Sequence, residues 1–198
     1  MSETGEALLA TRVLRPFLRA MAQRTAPTII DLGAAVGRNL DALAATGPCC
    51  VRFLDLWSVV PQPDTPHQPA ALTADSLDQW EIPAGSVDGV LCWDVLDDLA
   101  DGSATLLAER LTHWLRPEGL VLAMFGTAAP AMRPRARYVI ADADNLRRDV
   151  DASTMRWQRR HDNRHILRLF PRLRVTESTV LPPHTHEVLL RKPSYTLD

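Results

Sequence analysis

The sequence predicts an α/β protein with three layers, helices on both faces of a mostly parallel sheet, closed by a C-terminal antiparallel hairpin. Three observations predict it. Apolar strand-like runs alternate with helical patterns as far as residue 126, which is how parallel strands joined by crossover helices read. The stretch "TIIDLGAAVGRNL", 28–40, is a strand that enters a glycine turn and then a helix. The final strand patterns, "LRVTESTVL" and "HEVLLRK", are joined only by "PPHT", too short for a parallel crossover. At 198 residues, 46% of them hydrophobic, the chain is one domain, 1–198, with enough apolar residues for a sizeable core.

Residues 1–27 form an N-terminal helical extension, with Leu9, Val13, Phe17 and Met21 in one stripe at steps of four. Pro16 should kink or divide that helix. The strand 28–32 and a helix over about 37–46 follow, closed by Gly47-Pro48. "CVRFLDLW", 50–57, is the second strand, and four prolines within 61–69 rule out a regular helix after it. A weak third strand lies near 70–73, a fourth over 87–93, and an acidic loop follows. Residues 102–115 form a helix that Ser103 can cap, with Leu107, Leu111 and Leu115 on one face. "RPEG" turns into the fifth strand, 120–126. Residues 127–137 read as loop and 138–170 as arginine-rich helical pieces, ahead of the terminal hairpin.

Composition narrows the function classes. No apolar run reaches the ~20 residues of a membrane span, and the arginine-interrupted start is not a secretory signal. The three cysteines, two of them the adjacent Cys49 and Cys50, make neither a disulfide framework nor a zinc site, which suits a reducing, cytoplasmic compartment. The six histidines show no metal-ligand spacing. Charge is segregated: residues 31–118 hold 14 Asp/Glu against 4 Arg, whereas 133–174 hold 12 Arg against 5 Asp. With an acidic pI of about 6.3 and few aromatics among those arginines, a nucleic-acid reader is not expected.

Several stretches in order resemble the class I S-adenosylmethionine-dependent methyltransferases. "DLGAAVGRNL" looks like the family's first motif and "FLDLW" like the acidic end of its second strand. "TADSLDQWEIPAGSVDGVLCWDVLDDL" resembles the passage from the adenine contact into the fourth strand, and "LTHWLRPEGLVLAMFG" the helix-turn-strand after it. The resemblance spans roughly 25–192; within the family, "NRHILRLFP…THEVLLRKP" is similar to small bacterial methyltransferase-like proteins. It implies a Rossmann-like fold with a seven-stranded sheet whose last strand is antiparallel, and S-adenosyl-L-methionine as cofactor. By that resemblance the cofactor-binding residues are Asp31, Gly33, Ala35, Gly37, Asp55, Leu56, Asp75, Ser76 and Trp93. Glycines at 33 and 37 let backbone approach a ligand. Asp55 accepts from the ribose hydroxyls or simply from a helix N-terminus, and Asp75 and Ser76 meet the adenine. Ala35 stands where the family has a second glycine.

The resemblance leaves the acceptor unidentified, small-molecule or protein-borne. The loop after the fourth strand lacks the Asn/Asp-Pro-Pro-aromatic sequence of amide and adenine methylation. Asp94 is a base or the cap of the next helix, while Asp97 and Asp98 read as solvated loop acids. His161 and His165 are catalytic candidates because their segment, the arginine-rich cap 127–172, is expected to lie over the substrate pocket. The arginines either recognise an anionic acceptor or partner protein or pair with the acidic body. Two alternatives stand beside the enzyme: a methyltransferase-like scaffold without turnover, and a nicotinamide-dependent reductase, which the terminal hairpin disfavours.

Overall fold

A computed structural model describes residues 7–33, 37–60, 68–129, 131–182 and 184–194. Ala35 and most of the proline-rich stretch, 61–67, lie outside the described residues. The chain opens with β1 (Ala7–Ala10) and α1 (Leu14–Ala22), followed by β2 (Thr28–Gly33), α2 (Leu40–Ala44), β3 (Cys50–Asp55) and α3 (Leu56–Val59). Next come α4 (Ala74–Asp78), β4 (Val87–Trp93), a 3₁₀ turn (Val95–Asp98), α5 (Asp101–Trp114) and β5 (Leu115–Gly126). The last part holds β6 (Ala131–Ile140), β7 (Asn145–Gln158), α6 (Asn163–Leu169), β8 (Arg174–Leu181) and β9 (Thr185–Arg191).

The main sheet among the described residues is mixed and six-stranded, in the order β3-β2-β4-β5-β9-β8. β2, β3, β4 and β5 are parallel, and β9 runs antiparallel to both β5 and β8. The expected seven-stranded sheet is therefore corrected. The weak strand near 70–73 contributes only an isolated bridge, Ala70 to Leu99. Its run is only four residues long and starts directly after Pro69, which leaves it too short to build a ladder.

A second sheet, β1-β7-β6, replaces two expected features. The helical cap over 127–172 is mostly an antiparallel hairpin, and only α6 in it is α-helical. Ala136, Tyr138 and Ile140 recur at period two and face the core. Asp142 closes the turn by accepting from Asp144 N and Asn145 Nδ2. The segment 1–27 is likewise no wholly helical extension, because β1 pairs with β7. Pro16 sits in the first turn of α1, where its missing N–H costs nothing, so it marks a helix start rather than a kink.

Strand side chains alternate between two buried faces. Ile30, Leu32, Val90, Cys92, Val121, Ala123 and Phe125 pack with α5 and α6. Leu91, Trp93, Leu122 and Met124 pack with α1 and with Tyr138, Ile140 and Leu146 of the second sheet. α1 lies directly over β4: a Cβ on Gly89 would come 2.7 Å from Phe17 Cζ. Ser103 is not the cap of α5, whose N-cap is Ala100; its hydroxyl instead accepts from Leu72 N inside the protein.

Candidate functional site

The carboxyl ends of β2, β3 and β4 lie side by side beneath the β6–β7 hairpin. Gly33 pairs in register with Asp55, so the glycine turn and the strand-end acid are direct neighbours. Gly33 and Gly37 both have positive φ, +156° and +61°, as a turn at this position requires. Trp93 ends β4 in the left-handed region, φ +44°, a strained backbone for a bulky residue. Two interactions hold it. Its indole N–H donates to Asp31 Oδ1 at 2.7 Å, and its ring stacks on Tyr138, centroids 5.5 Å apart.

Asp31 is buried, and its second oxygen accepts from Asn39 Nδ2 at 2.8 Å. Burial raises its pKa, against the lowering by the Trp93 and Asn39 hydrogen bonds. Asn39 also accepts from Ile140 N and donates to the Tyr138 carbonyl, fastening the hairpin to the glycine turn. Asp55 accepts from Trp57 N at 3.0 Å and so caps α3, while Arg135 Nη2 stands 3.8 Å from its carboxylate. Arg156 and Arg135 lie over the Trp57 ring, at 3.8 and 5.1 Å from its centroid.

Asp94 does not cap the 3₁₀ turn, which corrects the helix-cap expectation. Its carboxylate faces the cleft and accepts from Tyr138 Oη at 2.9 Å. Burial raises its pKa, opposed by the Tyr138 hydrogen bond and by Arg148. Asp97 and Asp98 are buried rather than solvated, because the 3₁₀ turn folds inward beneath the hairpin. Asp97 Oδ2 accepts from Gly126 N at 2.6 Å, tying the turn to the end of β5.

The cleft is lined by Asp31, Gly33, Asn39, Trp57, Trp93, Asp94, Asp98, Arg135, Arg137, Tyr138 and Gln158, and encloses about 30 Å³. Pockets for small molecules span ~300–1,000 Å³. The side chains of the hairpin thus fill most of the space above the strand ends. Asp75 and Ser76 lie on α4 outside this lining, Asp75 exposed, with Ser76 N donating to Thr73 Oγ1. Leu56 is buried in the core beside Trp57. Trp57, Tyr138, Asn39 and the two stacked arginines are the residues that sequence reasoning missed. Asn39 and Trp57 each lie inside a matched stretch, "DLGAAVGRNL" and "FLDLW", and the period-two run ending in Tyr138 and Ile140 is the signal for the rest.

His161 and His165 are not brought to the cleft. His161 is buried against Phe125, 3.5 Å from Asp97 Oδ1, and His165 approaches the exposed Asp101 at 3.9 Å. Burial, with His165 and Arg159 nearby, lowers the His161 pKa to about 4. The unfolded chain takes up this proton near pH 6.5. The unfolded state therefore binds more protons between the two values, and stability falls as pH drops through that window, by about 1.4 kcal/mol per pH unit. The raised Asp97 carboxyl gives an opposite slope over its own range, so the comparison is with His161→Phe. In urea unfolding at pH 7 and pH 5, wild type should lose stability relative to that variant. Parallel losses would mean that His161 charges within the folded protein.

A methyltransferase domain family matches residues 5–176. The chain belongs to that family. A comparison with curated proteins finds no match. Solved structures similar to it include 1,6-didemethyltoxoflavin-N1-methyltransferase of Burkholderia thailandensis, with bound 1,6-didemethyltoxoflavin and S-adenosylhomocysteine. That enzyme is 18% identical, with a TM-score of 0.52 over 92% of this chain and 77% of its own. An S-adenosylmethionine-dependent methyltransferase from Mesorhizobium loti is 20% identical, TM-score 0.54, over 89% of this chain and 96% of its own. One from Clostridium acetobutylicum is 9% identical, TM-score 0.55, over 91% of each chain. At such identities the likeness is one of fold. As a member of the methyltransferase family, the chain uses S-adenosylmethionine as methyl donor. No helix among the described residues is long and apolar enough to cross a membrane.

The donor's needs match the chemistry of the strand ends in part. A ribose diol asks for an acceptor, and Asp55 stands at a strand end beside Gly33, although Asp55 and Gly37 are not themselves part of the cleft lining. The cleft also holds polar atoms without partners, Asp98 Oδ1 and Arg135 Nε among them, which a polar ligand would satisfy. The enclosed volume, about 30 Å³, is smaller than the donor needs with the β6–β7 hairpin in this position.

Proposed function

We propose that the cleft under the β6–β7 hairpin is the site of methyl transfer to a small-molecule or protein-borne acceptor. The register pairing of Gly33 with Asp55, beside Trp93, is the observation that carries it. Gly33 and Gly37 receive the donor's amino-acid end along the turn, with Ala35 between them, and Asp55 turns from capping α3 to holding the ribose. Asp31 acts indirectly, by fixing Trp93 and Asn39, and Leu56, buried in the core, supports Trp57 from beneath without touching the ligand. Asp75 and Ser76 carry no adenine role in this reading.

The bound donor supplies a methyl group already activated on sulfonium sulfur. The protein has then to orient the acceptor and to take its proton. Asp94, on the cleft wall with a raised pKa, is placed to accept it. Trp57, Trp93 and Tyr138 give the cleft an aromatic wall that limits water. Three free cysteines, Cys92 among them buried, support a reducing, cytoplasmic setting.

Asp55→Ala tests the assignment. A hydrogen bond to a charged acceptor contributes about 1.5–3 kcal/mol, so calorimetric affinity for S-adenosylhomocysteine should fall at least tenfold (about 1.4 kcal/mol). Unchanged affinity would remove Asp55 from the site. No binding by the wild type at millimolar concentration would instead favour a methyltransferase-like scaffold, which the narrow cleft already suits.

A further inference from the structure

The hairpin side of the cleft, with Arg135 and Arg137 in its lining and Arg156 beside it on Trp57, carries more positive charge than its neighbours satisfy. Arg135 has a side chain 15% exposed, yet its nearest carboxylate, Asp55, is 3.8 Å away. Arg135 Nε and Nη2, Arg137 Nε and Arg156 Nε are all buried without a hydrogen-bond partner. Native proteins leave few such donors unpaired, and each costs more when the group is charged. Both Arg135 and Arg156 rest on one indole, Trp57, which fixes their planes but accepts no hydrogen bond.

We propose that Arg135 and Arg156, stacked on Trp57, form an oxyanion subsite that binds a carboxylate or phosphate of the methyl acceptor. The proposal rests on reading the cleft as the methyl-transfer site. Two guanidinium forks held against one indole can offer donors to the paired oxygens of such a group, which would give it several charge-assisted hydrogen bonds. Burial first, then Arg156, lowers the Arg135 pKa. A bound anion relieves that repulsion. The acids facing them are Asp55 and Asp98. Burial and Asp94 push the Asp98 carboxyl well up, towards the neutral form, in which it repels an anion less and can donate to it. Charge pairing within the chain does not use these two arginines up. The segment's close cross-pair to the acidic body is Arg159 with Asp101, at 2.7 Å and away from the cleft.

The test uses the whole chain and needs neither turnover nor a known acceptor. Tryptophan fluorescence is followed while sodium acetate, sodium benzoate or inorganic phosphate is added at constant ionic strength. A saturable change is expected with at least one of them, and the better arm tells carboxylate from phosphate. The change should disappear in Trp57→Phe, and the apparent affinity should fall at least tenfold in Arg156→Gln. Arg156→Lys, which keeps the charge but not the fork, should fall between. Circular dichroism checks that each variant folds. A flat response to all three anions in the wild type would overturn the subsite, as would an unaltered response in folded Arg135→Gln/Arg156→Gln. Calorimetry with S-adenosylhomocysteine separates the remaining possibilities. If the double variant loses that ligand as strongly as it loses the anions, the subsite serves the donor's carboxylate and the acceptor assignment fails. If the wild type binds the anion but not S-adenosylhomocysteine, the oxyanion site stands and the methyl-transfer reading falls.

Discussion

Asp94→Asn should lower turnover by about 10²- to 10⁴-fold, the usual contribution of a positioned base, while leaving donor affinity close to wild type. Asn keeps the size of the side chain and can still accept from Tyr138 Oη, so the local packing survives. What it loses is the capacity to take a proton. The measurement is formation of S-adenosylhomocysteine from S-adenosylmethionine, with a small-molecule extract as acceptor source. Burial raises the Asp94 pKa, so wild-type turnover should climb with pH through an inflection above the ordinary carboxylate range. The Tyr138 hydroxyl favours the charged carboxylate; Tyr138→Phe should therefore shift that inflection further up. Wild-type turnover in Asp94→Asn would send the search for the base elsewhere.

Asp88→Ala should unfold the protein most readily of the changes outside the cleft. Asp88 has a side chain only 1% exposed and sits in β4 near the opposite end of the sheet. One oxygen accepts from Arg24 at 2.6 Å and lies 3.1 Å from Arg116; the other accepts from Thr28 N at 2.8 Å, at the start of β2. This carboxylate therefore joins the end of the α1 segment, β2 and the turn into β5. Breaking a buried ion pair from one side costs ~3–5 kcal/mol. Arg24 and Arg116 keep some access to water, 23% and 42% of their side chains, which places the expected loss near about 3 kcal/mol. For a chain of this size that is a fall of roughly 6–12 °C in Tm. Asp88→Asn retains an acceptor and should lose less. A melting temperature within a degree or two of wild type for Asp88→Ala would show that the cluster contributes little.

The parts of the fold that local chemistry specifies were legible in the sequence. β2, β3, β4 and the β8–β9 hairpin lie within a residue or two of their expected bounds, because each is an apolar run closed by turn chemistry. The neighbourhood of Gly33, Asp55 and Trp93 followed from the order of those strands. Where local preference is ambiguous, tertiary contacts took over. Arginine suits exposed helix, so the sequence predicts loop over 127–137 and helical pieces over 138–170, and the pairing of β1 and β6 with β7 overrides that preference as far as Gln158. Asp97 and Asp98 look like solvated acids in any linear reading. Their burial depends on Gly126 and Arg159, whose backbone groups meet Asp97, and on Gln158, which faces Asp98; all three are remote in sequence.

By itself, then, the sequence determined the alternation of strand and helix, the glycine turn, the antiparallel ending and the kinship with methyltransferases. Apolar periodicity and turn residues act within a few positions, and a single chain displays them openly. Only the tertiary structure decided that the arginine-rich stretch is a β-hairpin folded over the strand ends, with Tyr138 on Trp93 and two guanidiniums on Trp57. It also decided which carboxylates lose their water. The physical reason is the same for both: stacking, ion pairing and desolvation depend on partners about thirty to a hundred residues apart, and are set when the chain closes on itself.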